Sequence, residues 1–253
     1  IDVECFVHGA MCVSVSGRCF MSQFVFGRSA NRGDCLQPCR RKYNISKAEL
    51  KLKDVEERYE LSLGEDYVMS PKDLCTLPFI DKLIKAGIDS FKIEGRARSP
   101  EYVKTVTEVY REAIDAYFEK PNALTPLLKK KLMKKLETVY NRGFSPGFFL
   151  GKPIKEWASP ETKAKEKKVF IGFVRNYYPK PCVAEIKLQA GGLKKGDKIM
   201  IQGPTTGILE QKAVSMQISH KDVKSAEKGK SVGVKVKDIV RKNDKVFLIT
   251  SRK

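Results

Sequence analysis

The sequence predicts an α/β chain in which the C-terminal part of a TIM-like (βα) barrel is followed by a small antiparallel β-barrel. Two observations predict this class. Strand-like and helix-like segments alternate between residues 65 and 121, as in βα units. From residue 169 onward, short β-rich segments are separated by turn residues, as in a small barrel. The polar, charged run at 161–168 reads as a linker and divides the chain into domains at 1–160 and 169–253.

The first 43 residues hold five of the seven cysteines among Gly, Ser and Arg, which is loop chemistry. Residues 3–7 have the apolar character of a short buried strand, which His8 and Gly9 break. A long ordered loop is expected to follow. Residues 67–69 read as a strand, and Ser70, Pro71, Lys72 and Asp73 as a helix start with Pro at an early position. Leu77, Ile80 and Ile84 continue that helix at 3–4 residue spacing until Gly87 stops it. Residues 90–95 form the next predicted strand. Ser99, Pro100 and Glu101 then open a second helix carrying Val103, Val106, Val109, Tyr110, Ile114 and Tyr117. Two successive βα units imply a parallel sheet, and in a TIM-like whole the strand ends face the active site. The chain begins without Met inside a strand, so an N-terminal portion is expected to be missing. Residues 121–160 read as a helix and a Gly/Pro/aromatic stretch at 141–157. Strands of the small barrel are expected at 183–188, 198–201, 213–216, 232–236 and 245–249.

The balance of 49 basic against 30 acidic residues gives a net charge of +19. Such an excess attracts polyanions, of which nucleic acid is the commonest. Lys129, Lys130, Lys131, Lys134 and Lys135 form a dense run, which is equally the wet side of a helix. No apolar run approaches the roughly 18 residues of a membrane span, and residues 1–11 lack a basic region followed by an apolar stretch. A cytoplasmic protein without a membrane partner is therefore expected.

Seven cysteines in a Lys-rich chain without a visible secretory signal argue against a disulfide framework and toward metal or cluster ligation. The order is Cys5, Cys12, Cys19, Cys35, Cys39, Cys75 and Cys182, without a close C-x2-C pair, so a zinc ribbon fits poorly. A four-thiolate iron–sulfur site assembled from one loop and one helix start is allowed, as are scattered buried thiols. Cys5 and Cys182 read as structural. A Ser or Cys peptidase needs a base, and the chain has two histidines, His8 and His220. His220 reads as a surface residue. His8 can pair with Cys12 as a base or share a zinc ion with it. A zincin His-Glu-x-x-His helix is absent from the sequence.

Several strings carry a resemblance. Glu4-x-Phe6-x-His8-Gly9-Ala10-Met11-Cys12, then Ser16-Gly17-Arg18-Cys19-x-x-Ser22, resembles the signature of peptidase family U32, the collagenase-like proteins. Asn31-Arg32-Gly33-Asp34-Cys35-x-Gln37-Pro38-Cys39-Arg40, Ser70-Pro71-Lys72-Asp73-Leu74-Cys75 and Phe91-Lys92-Ile93-Glu94-Gly95-Arg96 extend the likeness from about residue 3 to 153. The resemblance implies a TIM-like barrel whose first half is absent here. It also implies an RNA hydroxylase that takes prephenate as donor and modifies a tRNA wobble uridine or a ribosomal cytidine. Related members carry a 4Fe-4S cluster on four cysteines, which map to Cys12, Cys19, Cys35 and Cys75. Cys39 and His8 are the alternative ligands, and zinc is the alternative metal.

A dicarboxylate donor requires cationic clamps. Arg28, Arg32, Arg40 and Lys92 are the expected substrate-binding residues, and Glu94 and Arg96 the expected catalytic ones, at the end of a predicted strand. The C-terminal segment, with Gly192-Leu193-Lys194-Lys195-Gly196-Asp197 and Val240-Arg241-Lys242, resembles the second-domain barrel of translation elongation factors. The expected partners are tRNA or rRNA, with a homodimer or a pairing with another family member as the expected assembly. A collagenase-like peptidase and a zinc-binding, non-catalytic RNA-binding fragment are the competing readings.

Overall fold

The computed structural model describes residues 1–15, 18–43, 67, 69–96, 98–151, 156–159 and 161–252. The chain divides into two compact units. The first comprises residues 1–94, 113–129 and 140–163, and the second residues 95–112, 130–139 and 164–253.

The first unit is built on a four-stranded sheet of β1 (Glu4–Gly9), β2 (Asp73–Cys75), β3 (Ser90–Ile93) and β4 (Phe144–Ser145), in the order β3-β1-β2-β4. β1 pairs with β3 in parallel, Cys5 opposite Phe91, as a βα crossover requires. β2 runs antiparallel to β1, with His8 opposite Cys75, and pairs in parallel with β4. The sheet is therefore mixed, which corrects the expectation of two successive parallel βα units.

The reason lies at residues 70–75, where a helix start was expected and β2 forms instead. Pro71 bridges to Trp157, Lys72 N–H donates to Glu156 O, and Asp73 N–H donates to Gly143 O. These partners over-ride the local Ser-Pro-x-Asp signal, which by itself favours a helix N-terminus. The helix appears one turn later, as a 3-10 turn (Leu77–Phe79) running into a six-residue α-helix, Ile80–Lys85. Of the strand expected at 67–69, Met69 lies in a turn and Val68 is outside the described residues.

A further short helix, α1 (Met21–Phe26), lies in the cysteine-rich segment, so Ile80–Lys85 is α2. The long helix α3 (Pro100–Glu119) opens with Pro at its first position, where the missing N–H is not needed. It buries Tyr102, Val106, Val109, Tyr110 and Ala113, a stripe at helical spacing. Helix α4 (Pro126–Leu136) buries Leu132 and Leu136, one turn apart. Its lysine run is tied to carboxylates: Lys129 to Asp81 at 2.5 Å, Lys131 to Glu112 at 3.1 Å and Lys135 to Glu108 at 3.3 Å. Three of the five lysines of the run are thus paired, while Lys130 and Lys134 are exposed.

The second unit holds an eight-stranded antiparallel sheet. In chain order its strands are β5 (Glu166–Tyr178), β6 (Val183–Leu188), β8 (Lys198–Gly203), β9 (Gly207–Lys212), β10 (Met216–Ile218), β11 (Lys221–Asp222), β13 (Ser231–Lys235) and β14 (Lys245–Ser251). Their spatial order is β11-β10-β13-β6-β5-β14-β8-β9. A separate pair joins β7 (Leu193–Lys194) to β12 (Ser225–Ala226). β5 begins at Glu166, inside the run read as a linker. The segment expected at 213–216 forms its strand later, from Met216.

Alternation along β6 buries Ala184, Ile186 and Leu188, and these meet Ile171, Val174, Ile199, Ile201, Val232, Val234 and Val246 in one core. The sheet curls on itself. Gln211 of edge strand β9 donates to Lys235 O at 2.7 Å and accepts from Lys237 N–H at 2.9 Å, so the edge meets the end of β13 through a side chain. Among the described residues no helix is long and apolar enough to cross a membrane.

Ile186 is fully buried at the centre of this core. Ile186→Ala is expected to lower stability by about 2–5 kcal/mol, through lost transfer energy and the cavity left behind, as read from the urea midpoint of the purified protein.

Candidate functional site

The site is built where β1 ends. Gly9 has φ +128°, and a Cβ there would lie 2.6 Å from Glu94 Cβ, so glycine alone lets the end of β1 lie against Glu94. Glu94 N–H donates to His8 O at 2.8 Å, which fixes the first residue after β3 beside His8 and Gly9. The chain then enters the segment carrying Cys12, Cys19, Cys35 and Cys39.

Arg40 organises that segment. Its guanidinium is buried and donates from Nη1 to Ser70 Oγ at 3.0 Å and Pro71 O at 2.5 Å, and from Nη2 to Met11 O at 2.6 Å. It therefore ties the 3-10 turn Pro38–Arg40 to the residue before Cys12 and to the chain leading into β2. Burial, helped by the charge of Arg142, lowers its pKa to about 10, so it stays cationic at neutral pH. Nearby, Arg142 Nε donates to Asp73 Oδ1 at 3.0 Å, and Arg142 N–H donates to Asp73 Oδ2 at 3.0 Å, with both side chains almost wholly buried. The pair locks β2 to the segment entering β4.

Cys39 lies in the turn that Arg40 holds. Burial pushes its thiol pKa up, Arg40 opposes this, and the charges of Cys12, Cys35 and Cys19 push it further up. Cys12, Cys19 and Cys35 thus each stand within electrostatic reach of Cys39. Two of them accept backbone hydrogen bonds: Ser14 N–H reaches Cys12 Sγ at 3.4 Å, and Gln37 N–H reaches Cys35 Sγ at 3.3 Å. Gln37 takes a left-handed conformation, φ 53°, at the start of the turn. Leu36 N–H donates to Ser22 Oγ at 3.1 Å, joining α1 to the residue after Cys35.

Cys75 is placed differently from the expected helix start. It lies in β2, buried, directly opposite the buried His8 of β1, whose ring sits 5.6 Å from that of Phe144. His8 therefore faces Cys75, where the sequence suggested a pairing with Cys12. Among the described residues no three His, Cys, Asp or Glu side chains come close enough to hold a metal ion. What the structure provides is a thiol-rich loop tied down by Arg40, with a fifth thiol at the end of β2.

The expected cationic clamps have different partners. Arg28 pairs with Asp34 at 2.8 Å, and Lys92 pairs with Glu4 at 2.7 Å while lying 5.1 Å from the Phe6 ring centroid. That bond to Lys92 is the main reason the Glu4 carboxyl titrates below its ordinary range. Arg40 is committed to backbone and hydroxyl oxygens. Arg32 closes the turn Ala30–Arg32 and is exposed, with no carboxylate partner among the described residues. Arg96 lies in the turn where Arg98 N–H donates to Gly95 O at 3.1 Å. His220 has φ 63° in the tight turn between β10 and β11, on the surface as expected. The positioning residues Asp73 and Arg142 and the His8–Cys75 juxtaposition escaped the sequence reading. The pairing of β1 with β2, which sets the last of these, leaves no local pattern.

A mixed α/β unit with a cysteine-rich loop at its strand ends, attached to an antiparallel sheet unit, is the class of protein these features define. The chain matches the sequence pattern of peptidase family U32 over residues 1–159 and belongs to that family. It is 45% identical to an uncharacterised protease of Methanocaldococcus jannaschii, over 98% of this chain and 60% of that protein. It is 40% identical to a collagenase of Porphyromonas gingivalis, over 100% of this chain and 59% of that protein. It is 39% identical to tRNA hydroxylation protein P1 of Bacillus subtilis, over 81% of this chain and 47% of that protein. The chain thus spans about 60% of the length of the first two relatives.

Asp73→Ala is expected to destabilise the first unit by about 3–5 kcal/mol, because it leaves a buried guanidinium unpaired, and denaturant unfolding reads the loss. In the reduced, metal-free protein, iodoacetamide is expected to label the exposed Cys12 and Cys35 before Cys39 and the buried Cys75. Labelling of Cys39 should rise only above the ordinary thiol range, since its raised pKa keeps the thiol protonated to higher pH; peptide mass mapping across pH 7–10 follows both.

Proposed function

We propose that this chain is part of an iron–sulfur-dependent hydroxylase that modifies a pyrimidine in tRNA or rRNA, with prephenate as hydroxyl donor. The feature that supports the reading is the placing of Cys12, Cys19, Cys35 and Cys39 in one segment that Arg40 ties to Met11 and to the chain entering β2. Thiolate donors suit iron–sulfur clusters, and backbone N–H bonds to sulfur are a recognised means of setting their potential. Cys12, Cys19 and Cys35 would hold the 4Fe-4S cluster, with Cys75 or Cys39 as the fourth ligand. The cluster would supply one-electron chemistry to the reaction. Family membership, the likeness to a protein named for tRNA hydroxylation and the charge of +19 support an RNA substrate.

This chain's residues have separable tasks. Arg40 positions the ligand loop from beneath. Arg32, with Arg28, Lys92 and Arg96, offers positive charge to the carboxylates of the donor. Glu94 holds or releases a proton at its carboxyl oxygen, in a position fixed by the crowding against Gly9. The chain is read as the C-terminal part of a TIM-like barrel with a small barrel attached, working in the cytoplasm, as a homodimer or beside a second family member.

Anaerobic purification is expected to yield about four iron and four sulfide per chain, with a Cys12→Ser variant losing most of both. Nucleosides from a strain lacking the protein should lack one pyrimidine hydroxyl. A colourless chain that takes no iron on reconstitution would count against the reading, and bound zinc with intact RNA binding would favour the non-catalytic fragment. A collagenase-like peptidase is the second reading, favoured by the facing His8 and Cys75 and by the collagenase relative. Gelatin cleavage abolished by Cys75→Ala and by His8→Ala, with nucleosides unchanged, would establish it.

A further inference from the structure

A cleft of about 440 Å³ on the second unit is lined by none of the residues of the cysteine-rich site. Its lining includes Phe173, Arg175, Lys187, Gln189, Lys242 and Asn243 and contains no carboxylate. β5 and β6 supply one wall, and the turn before β14 supplies the other.

That turn is rigid. Asn243 adopts φ 73° and donates its N–H to Val174 O at 2.8 Å, while Val174 N–H donates back to Asp244 O at 2.9 Å. The buried Asp244 carboxylate accepts from Arg241 N–H at 2.8 Å and from Thr206 Oγ1 at 2.5 Å. The side chain of Lys242 is therefore presented from a fixed backbone.

The cations of the cleft are incompletely neutralised. Arg175 lies 3.5 Å from Glu185. Lys187 Nζ donates to Gly229 O at 2.6 Å, which orients the ammonium and leaves its charge uncancelled. Lys242 is exposed, with no carboxylate partner among the described residues. The surrounding segment is strongly basic: residues 169–253 carry 18 Lys and Arg against seven Asp and Glu. By contrast, the lysine run of α4 is largely occupied by carboxylates.

We infer that this cleft is an RNA-docking surface, with Arg175, Lys187 and Lys242 meeting successive phosphates and Phe173, half-buried, offering a face to an unstacked base. The amides of Gln189 and Asn243 supply neutral donors and acceptors for sugar hydroxyls. Cations spread over two strands and a turn around an aromatic ring suit a chain of phosphates better than a single small dianion. The inference rests on the RNA substrate proposed above and assigns it a place.

Anisotropy of a fluorescein-labelled, unmodified tRNA transcript titrated with the whole chain tests it. Lys242→Glu should weaken binding about tenfold, and Arg175→Gln several-fold, each lowering the salt slope by about one. Lys130→Glu, an equal charge change at an exposed position of α4, should stay within about twofold, with thermal melts of all variants matching the parent. Equal losses for Lys130→Glu and Lys242→Glu would overturn the inference, as would binding that Lys242→Glu leaves unchanged; in both cases the RNA reading survives. Absence of tRNA binding by the parent chain would remove the RNA reading together with the cleft. Displacement of the tRNA by polyglutamate at equal charge would overturn the assignment in favour of an acidic protein partner.

Discussion

Two buried guanidinium groups and one carboxylate hold the first unit together at its working end. Arg142 is matched by Asp73, and the charge of Arg142 also reaches Arg40, whose pKa it helps to depress. Asp73 and the thiol of Cys39 pull the other way. A buried cation is tolerable only when its donors and its charge are both answered. Arg40 meets the first condition with two carbonyls and a hydroxyl, and those oxygens belong to two segments far apart in sequence, Met11 and Ser70-Pro71. The electrostatic requirement of one side chain therefore fixes where the loop lies.

That arrangement bears on the thiols. Loops rich in Gly, Ser and Cys have little apolar surface to bury, so their conformational entropy favours disorder unless polar bonds or ligands hold them. Here the bonds come from Arg40, from Ser22 Oγ and from the amides that donate to Cys12 and Cys35. The Arg40 charge also lowers the cost of ionising the neighbouring Cys39 thiol, which matters because the thiolate is the ligand form. In Cys39 the contest is visible: burial dominates, and the arginine next in sequence only moderates it.

Much of the second unit was legible in the sequence. β6, β8, β13 and β14 alternate or run apolar between turn residues, and each lies where that pattern puts it. β5 was not legible over its first residues, because a sequence such as Glu166-Lys167-Lys168 carries no strand signal; its pairing with β14 supplies the missing preference. In the first unit the family strings located the loop, yet residues 70–73 pointed to a helix. The bridge from Pro71 to Trp157 and the bonds to residues 143 and 156 hold them extended into β2, which begins at Asp73. Long-range pairing of this kind leaves no trace in a window of neighbours, and neither does the pairing of β1 with β2 that sets His8 opposite Cys75.

Charge shows the same division between composition and place. A net +19 attracts polyanions without saying where one would be met, and the densest lysine run draws the eye to α4. There the paired carboxylates Asp81, Glu108 and Glu112 consume the field locally. On the second unit the cations are spaced along separate strands and a turn, so no run marks them, yet they share one concave surface free of lining carboxylates. Attraction depends on charge left over after internal pairing and on walls that focus it, which is the ground for proposing the scattered trio over the contiguous run.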